Sequence, residues 1–391
     1  MSRTIDIHGH CDRRFDSVRE EFAKNFESGE EVGASFAAAI DGRFVIDIWA
    51  GWADVAQTRP WERDTIVTVF STTKVMTALC SLMLIDRSLL ELDAPVYRYW
   101  PEFAQAGKEN ITIRYLLSHT AGLPAFDETI PTEAMCDWNR MVNLLAAQKP
   151  RWEPGTKCGY HAFTFGYLVG EVVRRITGKT LGTFFRDEVS IPLGASFHIG
   201  LPEEYEPLVA ELTSEREPEP GDPDYVDPDS LPEMFKSAVL NPPWLDLKQK
   251  LYSSRAFRAA EIPAGNGVGN ARSLARVGAV LACGGELDGV SLLSLPTIEK
   301  AIEKQFDGTD QVLGIRMLYG LGFGLNSHPL VPLGPNVRTF FWCGHGGSQV
   351  VIDLDAKLSF AYTMNKTGYI RPSMLGNERP ARLTTALYDA L

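Results

Sequence analysis

The feature that most constrains the fold is an apolar helical pattern that begins at Ser71. Apolar and β-branched residues lead up to Ser71, and helix-favouring residues continue from Lys74, so Ser71 is predicted at or just inside a helix N-terminus. From residue 71 to residue 87 the predicted helix is apolar on nearly all sides. Such a helix must lie buried at the centre of a protein, with other elements packed around it.

The start of this helix carries residues suited to nucleophilic catalysis. Ser71 and Lys74 are three residues apart, so their side chains share one helical face and can meet. A serine hydroxyl needs a base to take its proton, and a desolvated lysine can be neutral enough to serve. The N–H groups of the first helical turn lack partners within the helix and can stabilise an oxyanion. The alternative interpretation is a helix-start serine followed by a solvated lysine.

Composition limits the class of protein and its partners. The chain has 391 residues, 45% hydrophobic and 23% charged, which predicts a soluble globular protein of two lobes. A net charge of −12 disfavours nucleic acid or an anionic membrane as partner, and no apolar run is long enough to span a bilayer. The N-terminus has no apolar segment typical of a secretory signal. Six scattered cysteines without CxxC spacing favour free thiols in the cytoplasm, and neither they nor the histidines predict a metal site.

Strand patterns lie at both ends of the chain, and helical patterns lie between them. An Asp41-Gly42 turn predicts a hairpin, and the sequence predicts three further strands near the C-terminus and helices at both ends. We therefore expect an α/β (α+β) fold in which an antiparallel sheet flanked by helices is assembled from both termini. The predicted lobes are residues 1–75 with 275–391, and a mostly helical insertion, residues 76–274. Within it, an acidic, proline-rich excursion at residues 203–262 is either a lid over a cleft or a solvated connector.

Three further motifs accompany the serine. Glycines at 155 and 159 force a loop that presents Tyr160 just before a helix. Residues 341–348 end one strand and open the next, and residues 116–124 hold His119, which is expected to cap or pack a helix end. The glycine-rich residues 264–270 lack the lysine of a phosphate-binding loop, which disfavours a nucleotide site.

Together these motifs resemble the serine β-lactamase and penicillin-binding-protein superfamily, and most closely its class C-like esterases, the family VIII carboxylesterases. The resemblance runs from about residue 32 to residue 365 and implies a β-lactamase/transpeptidase-like fold. By position, Ser71 resembles the acylated nucleophile, Lys74 its partner in proton transfer, and Tyr160 the tyrosine that acts as base or relays the proton. The resemblance implies no metal and no other cofactor.

The third motif of the family requires a choice between two triplets. Lys366-Thr367-Gly368 is a literal Lys-Thr-Gly, but the order of strands places the motif on Trp342-Cys343-Gly344. That placement resembles the Trp-x-Gly variant of the esterases. It implies that the backbone N–H of His345 pairs with that of Ser71 in an oxyanion hole.

Two departures from the β-lactamase pattern bear on the substrate. Ala162 stands where β-lactamases keep an asparagine, and Trp342 stands where they keep a lysine or histidine. The loss of both polar groups leaves an apolar wall that favours uncharged acyl esters. We expect Trp342, Gly344 and His161 to contact the substrate.

The resemblance therefore implies a serine carboxylesterase that hydrolyses short-chain esters of small molecules through an acyl-enzyme. The first alternative is a β-lactamase, a D-Ala-D-Ala carboxypeptidase or an acyltransferase. The second is a non-catalytic binding module of the same fold. The natural ester, the choice of Lys74 or Tyr160 as base, and the oligomeric state stay open at this point.

Overall fold

The structure is a computed structural model, and it describes residues 5–214, 227–243, 251–327, 333–367 and 378–391. The centre of the acidic excursion, residues 217–224, and Gly368 lie outside the described residues. The strands of the described part of the chain are β1 (Ile7–Cys11), β2 (Gly33–Ile40), β3 (Arg43–Gly51), β4 (Val67–Thr68), β5 (Phe197–His198), β6 (Thr213–Ser214), β7 (Val268–Gly269), β8 (Glu286–Leu287), β9 (Val290–Ser291), β10 (Phe306–Thr309), β11 (Arg316–Tyr319), β12 (Gly324–Leu325), β13 (Thr339–Cys343), β14 (Gln349–Asp353), β15 (Leu358–Met364) and β16 (Lys366–Thr367).

Nine of these strands form one antiparallel sheet, and their order is β1-β3-β2-β15-β14-β13-β12-β11-β10. Strands from the two ends of the chain meet where β15 pairs with β2, from Leu358 opposite Ile40 to Met364 opposite Ala34. Asp41 and Gly42 both adopt positive φ, 47° and 77°, as the predicted tight turn requires. The prediction of an antiparallel sheet assembled from both termini is confirmed.

Helices cover both faces of this sheet. The α-helices of the described residues are α1 (Asp16–Glu27), α2 (Lys74–Asp86), α3 (Ile113–Leu117), α4 (Trp138–Ala147), α5 (Thr164–Thr177), α6 (Leu181–Phe185), α7 (Ile191–Leu193), α8 (Glu233–Val239), α9 (Arg255–Ala259), α10 (Ala271–Ala282), α11 (Leu295–Ile302) and α12 (Glu378–Asp389). On one face α1 and α12 bury Phe22 and Leu387 against Phe36 and Phe360. On the other face α10 packs against β2, β14 and β15. Each large apolar side chain buried in this way contributes about 1.5–3 kcal/mol.

The helix that follows Ser71 is buried as predicted. Every side chain of α2 from Lys74 to Leu84 is buried. The structure differs in one respect, because Ser71 lies in a 3₁₀ turn, Phe70–Thr73, that precedes α2. The strand before it is only two residues long, because Val69 leaves the extended conformation (φ −104°, ψ 11°), although its N–H still donates to the Gly267 carbonyl at 2.9 Å.

Other boundaries differ from the sequence predictions. Strands β10, β11 and β12 were not predicted, because they are short and are interrupted by glycine and polar residues. Helix α3 begins at Ile113, and α5 ends at Thr177, followed by Gly178 with φ of 70°. The division into lobes at residues 75 and 275 stays a prediction. In the part of the chain that the structure describes, no helix has the length and apolarity needed to cross a membrane.

Candidate active site

The predicted nucleophile lies at a sharp change of direction between β4 and α2. Phe70, the residue before Ser71, has φ of 47°, a conformation that a bulky side chain adopts only when its surroundings impose it. The Phe70 ring packs edge-on against His345, with ring centroids 5.2 Å apart. The Thr73 hydroxyl donates to the Phe70 carbonyl at 2.5 Å and accepts from the Gly267 N–H at 2.9 Å. These contacts hold the turn that presents Ser71.

Lys74 extends from the first turn of α2 into a site without solvent exposure. Its Nζ lies 2.8 Å from both the Ala162 and the Ala264 carbonyl oxygens, 2.9 Å from the Tyr160 hydroxyl and 3.2 Å from Ser71 Oγ. Burial lowers the pKa of Lys74 well below its ordinary value, because the charged form loses its hydration.

The partners of Lys74 also bear on its protonation state. A carbonyl oxygen only accepts hydrogen bonds, so Ala162 and Ala264 each take one N–H of the amine. A neutral amine has two N–H groups and one lone pair, which leaves the lone pair for the hydroxyl proton of Ser71 or Tyr160. The contacts therefore fit a neutral lysine that can accept a proton.

Tyr160 completes the group of three side chains. Its hydroxyl lies 2.6 Å from Ser71 Oγ, and the side chain is almost fully buried. Burial raises the pKa of Tyr160 above its usual value, and the hydrogen bond with Ser71 acts in the opposite direction. In this pair, Tyr160 therefore keeps its proton and Lys74 is neutral. A protonated phenol between a hydroxyl and a neutral amine is suited to relay a proton from one to the other.

The two histidines near Tyr160 are buried and hold its loop. The His161 N–H donates to His119 Nδ1 at 3.1 Å. The His161 ring donates from Nδ1 to the Gly159 carbonyl at 2.6 Å and accepts at Nε2 from the Leu123 N–H at 3.2 Å. Burial lowers the pKa of His161 to about 4. Because both ring nitrogens bond to the backbone and the residue has no exposed surface, His161 holds the loop, which differs from the substrate contact that we predicted.

His119 packs just beyond the end of α3, in keeping with the sequence prediction. It has a positive φ of 59°, and its ring is fully buried. Its ring stacks on Trp342 with centroids 5.4 Å apart and lies against Tyr160 at 5.6 Å. His119 therefore supports the aromatic side chains around the tyrosine.

The end of β13 approaches the turn that holds Ser71. Ser348 donates to the Val69 carbonyl at 2.7 Å, and its hydroxyl lies 3.1 Å from that of Thr72. A Cβ on Gly344 would lie 2.2 Å from the Val69 carbonyl oxygen, so only glycine permits this approach. Trp342 is 5% exposed, and its ring lies 5.8 Å from that of Tyr160. Trp342 and Gly344 thus border the site, and His345 follows them at the turn.

The literal Lys-Thr-Gly triplet makes different contacts. Lys366 donates to the Gly29 carbonyl at 2.8 Å, and Thr367 donates to the Thr213 carbonyl at 3.1 Å. Both residues lie in β16, which pairs with β6. These two side chains therefore bond to backbone carbonyls of residues 29 and 213.

Sequence reasoning missed the backbone groups of the site. The Ala264 carbonyl that accepts from Lys74 belongs to the glycine-rich loop, whose sequence suggests no function other than phosphate binding. Gly267 of the same loop is the residue whose type could have indicated this contact. A Cβ there would lie 2.6 Å from Thr73 Oγ1, so the close approach requires glycine. The glycines of this loop allow it to pack against the start of α2. Among the described residues, no group of three histidine, cysteine, aspartate or glutamate side chains is placed to hold a metal ion.

A serine, a lysine and a tyrosine in mutual contact at the start of a buried helix, beside an antiparallel sheet, define the serine enzymes of the β-lactamase and penicillin-binding-protein superfamily. The Beta-lactamase family model matches residues 18–383. The chain therefore belongs to the Beta-lactamase family, and the predicted fold is confirmed.

Named relatives include esterases. Esterase/beta-lactamase LipL of Mycobacterium tuberculosis (strain ATCC 25618 / H37Rv) is 34% identical over 363 residues, which are 92% of this chain and 83% of LipL. The crystal structure of a family VIII carboxylesterase superposes with a TM-score of 0.90 at 40% identity, over 99% of this chain and 100% of that one. The crystal structure of a penicillin-binding protein homologue from Caulobacter crescentus superposes with a TM-score of 0.89 at 38% identity, over 99% of this chain and 100% of that one. The resemblance to family VIII carboxylesterases is confirmed.

Proposed function

We propose that this protein is a serine carboxylesterase that hydrolyses short-chain carboxylic esters through an acyl-enzyme on Ser71. The observation that carries the proposal is the contact of three side chains: the Tyr160 hydroxyl lies 2.6 Å from Ser71 Oγ, and Lys74 Nζ lies 3.2 Å from it. The family VIII carboxylesterase with a TM-score of 0.90 and the relative named an esterase support the same reaction.

In the proposed acylation step, Ser71 Oγ attacks the ester carbonyl and its proton passes to Lys74, directly or through Tyr160. The backbone N–H groups of Ser71 and His345 donate to the oxyanion that forms. The ester C–O bond then breaks, and the proton moves to the departing alkoxide. Water attacks the acyl carbonyl, gives its proton to the same pair, and releases the acid as Ser71 regains its hydrogen.

We propose that Lys74 is the proton acceptor and that Tyr160 relays the proton. Two arguments support this assignment. The amine gives its two N–H groups to the Ala162 and Ala264 carbonyls, which leaves a lone pair for the hydroxyl proton. In addition, burial lowers the pKa of Lys74 and raises that of Tyr160, so that the neutral amine and the protonated phenol form the resting pair.

We propose that esters are preferred over β-lactams. Ala162 supplies a methyl group and Trp342 an indole where β-lactamases keep polar side chains. Since Trp342 stacks on the buried His119 ring at 5.4 Å, the wall that it forms is rigid and apolar. The second candidate, a β-lactamase or another penicillin-recognising enzyme, is favoured by the penicillin-binding protein homologue at 38% identity.

We further propose that the partner is a small-molecule ester and that the protein works in the cytoplasm. All six cysteines are free in the structure, as a reducing compartment would keep them. The three catalytic side chains come from one chain, so the proposed reaction needs no second subunit.

The test is hydrolysis of p-nitrophenyl acetate, butyrate and laurate beside nitrocefin. Wild type is compared with Ser71→Ala and with a control, Ser81→Ala, which removes a buried hydroxyl further along the same helix. Ester turnover with acetate or butyrate above laurate, lost in Ser71→Ala and kept in Ser81→Ala, supports the proposal. Nitrocefin turnover faster than ester turnover would move the protein to the lactamase candidate. Ester turnover unchanged in Ser71→Ala would refute the site.

A further inference from the structure

A buried carboxylate outside the three catalytic side chains lies directly behind Tyr160. Asp310 is in the connection between β10 and β11 and has no exposed surface. Its Oδ1 accepts from the Tyr160 backbone N–H at 3.0 Å and from the backbone N–H groups of Val312 and Leu313 at 2.8 and 2.9 Å. Its Oδ2 accepts from the Tyr319 hydroxyl at 2.9 Å. A carboxylate in the interior is costly, and four donors compensate for this one.

The bond to Tyr160 joins residues 150 positions apart in the sequence. A second backbone bond runs beside it, from the Gln311 N–H to the Cys158 carbonyl at 2.9 Å. On the other side of the loop that carries Tyr160, the Gly159 N–H donates to the His119 carbonyl at 3.0 Å. The loop is therefore held between the β10–β11 connection and His119, and the Asp310 side chain is the group that anchors the Tyr160 main chain itself.

The same carboxylate reaches the aromatic side chains around the tyrosine. The Tyr319 ring, whose hydroxyl bonds Asp310, stacks on Trp342 with centroids 6.1 Å apart and an interplanar angle of 24°. The Trp342 ring in turn lies 5.8 Å from the Tyr160 ring, between centroids. Asp310 thus fixes the backbone of Tyr160 with one oxygen and, through Tyr319 and Trp342, supports its ring with the other.

We propose that Asp310 is a positioning residue for Tyr160, which holds the phenol between Ser71 and Lys74 and keeps it protonated through its own negative charge. This inference rests on the proposed function, in which Tyr160 relays protons. Asp310 does not touch the substrate. A misplacement of about 1 Å at a reacting group costs about 100-fold in rate, so an anchor of this kind controls turnover.

The charge of Asp310 acts on Tyr160 in a known direction. A negative charge disfavours the tyrosinate, so its removal makes the phenol easier to deprotonate and moves the alkaline limb of the pH profile to lower pH. The other titratable groups that face Tyr160 are Lys74 of α2, His119 after α3, His161 of its own loop, Tyr319 of β11 and Cys343 of β13. Of these groups, Tyr319 bonds Asp310 directly and has its own pKa raised by that carboxylate, so the substitution acts on Tyr319 as well as on Tyr160.

The experiment compares Asp310→Asn with Asp353→Asn. Asp353 is a close structural match, because it is also buried, accepts from the backbone N–H groups of Asp355 and Ala356 and accepts from the Tyr388 hydroxyl at 2.8 Å. It bonds α12 through Tyr388 and lies at the opposite end of β14 from Gln349, which pairs with Cys343 beside the site. Asparagine keeps the shape and one acceptor oxygen in both variants, removes the charge, and replaces the second oxygen with an NH₂ group that can donate to the tyrosine hydroxyl oxygen.

For each variant, kcat and KM for p-nitrophenyl butyrate are measured from pH 6 to pH 11, together with the melting temperature. We expect Asp310→Asn to lower kcat at least about 10-fold at unchanged KM, with an alkaline limb at lower pH than in wild type. We expect Asp353→Asn to keep kcat within about 2-fold and the limb in place, with a comparable loss in melting temperature. The proposal would be overturned if the two variants had the same kcat and their alkaline limbs lay at the same pH.

Two further variants keep the outcome decisive. If Asp310→Asn does not fold, Tyr319→Phe removes one donor and retains the carboxylate. A fall in kcat at unchanged KM then supports the proposal, and wild-type kcat overturns it. Tyr160→Phe separates this inference from the proposed function. If Tyr160→Phe loses turnover and Asp310→Asn does not, only the inference fails; if Tyr160→Phe turns over like wild type, the relay role and this inference both fail.

Discussion

The substitution Tyr160→Phe removes one oxygen atom from the centre of the proposed proton path. That oxygen lies 2.6 Å from Ser71 Oγ and 2.9 Å from Lys74 Nζ. General acid–base catalysis by a positioned side chain contributes about 10²- to 10⁴-fold in rate. We therefore expect kcat for p-nitrophenyl butyrate to fall by that factor, which is about 3–5 kcal/mol of transition-state stabilisation. KM should change little, because the hydroxyl is buried behind the nucleophile and acts on the proton.

The fold should tolerate this change. The ring keeps its contacts with Trp342 and His119, at 5.8 and 5.6 Å between centroids. The two lost hydrogen bonds cost about 1 kcal/mol each in the free energy of unfolding. The control is Tyr167→Phe, which removes a buried hydroxyl that donates to the Met135 carbonyl at 2.7 Å, on α5.

The assay is steady-state hydrolysis with urea unfolding of both variants. Tyr167→Phe should lose stability and keep kcat, whereas Tyr160→Phe should lose kcat at similar stability. A fall in kcat of less than about 10-fold in Tyr160→Phe, with both proteins folded, would refute the relay role.

Three further predictions follow from the same contacts. Lys74→Arg should lower kcat at least about 100-fold at every pH, because a guanidinium does not lose its proton; in wild type the acid limb of kcat/KM should lie well below pH 10.5. The free energy of unfolding should fall as the pH is lowered from 6.5 towards 4, because His161 takes up a proton in the unfolded chain but stays neutral when buried, where its pKa is about 4. This histidine accounts for about 3 kcal/mol of that loss in stability. In urea titrations, the free energy of unfolding of His161→Gln should therefore change less with pH than that of wild type. Gly344→Ala should lower the melting temperature and kcat together, because its Cβ would lie 2.2 Å from the Val69 carbonyl oxygen; wild-type values for both would contradict the close approach of β13 to the nucleophile turn.

Features with a local signal were predicted well from the sequence. The burial of α2 follows from a helical run without a polar face, and the turn at Asp41-Gly42 follows from residues that accept positive φ. The strands β13, β14 and β15 are continuous β-branched and aromatic runs, so they too were predicted. The spacing of Ser71 and Lys74 predicted that their side chains meet, and the 3.2 Å contact agrees with it.

Features set by distant contacts were not predicted. The carbonyls of Ala162 and Ala264 that accept from Lys74 are backbone groups, which leave no trace in residue type. The position of His161 beside the proposed proton-relay tyrosine predicts a contact with substrate, yet its ring bonds to the backbone on both sides. Strands β10 and β11 are held by their pairing, and Asp310 between them gained its role only through a bond across 150 residues.

The central claim is that Ser71 is the acylated nucleophile, and covalent labelling tests it most directly. The protein is treated with diethyl p-nitrophenyl phosphate, which transfers a phosphoryl group to an activated serine and stays attached. Its mass and its peptides are then measured for wild type, Ser71→Ala and Ser81→Ala. The account predicts one adduct per chain on the peptide that contains Ser71, with complete loss of ester hydrolysis, in wild type and Ser81→Ala and none in Ser71→Ala. An adduct on another residue with loss of activity, or full ester hydrolysis by Ser71→Ala, would contradict it.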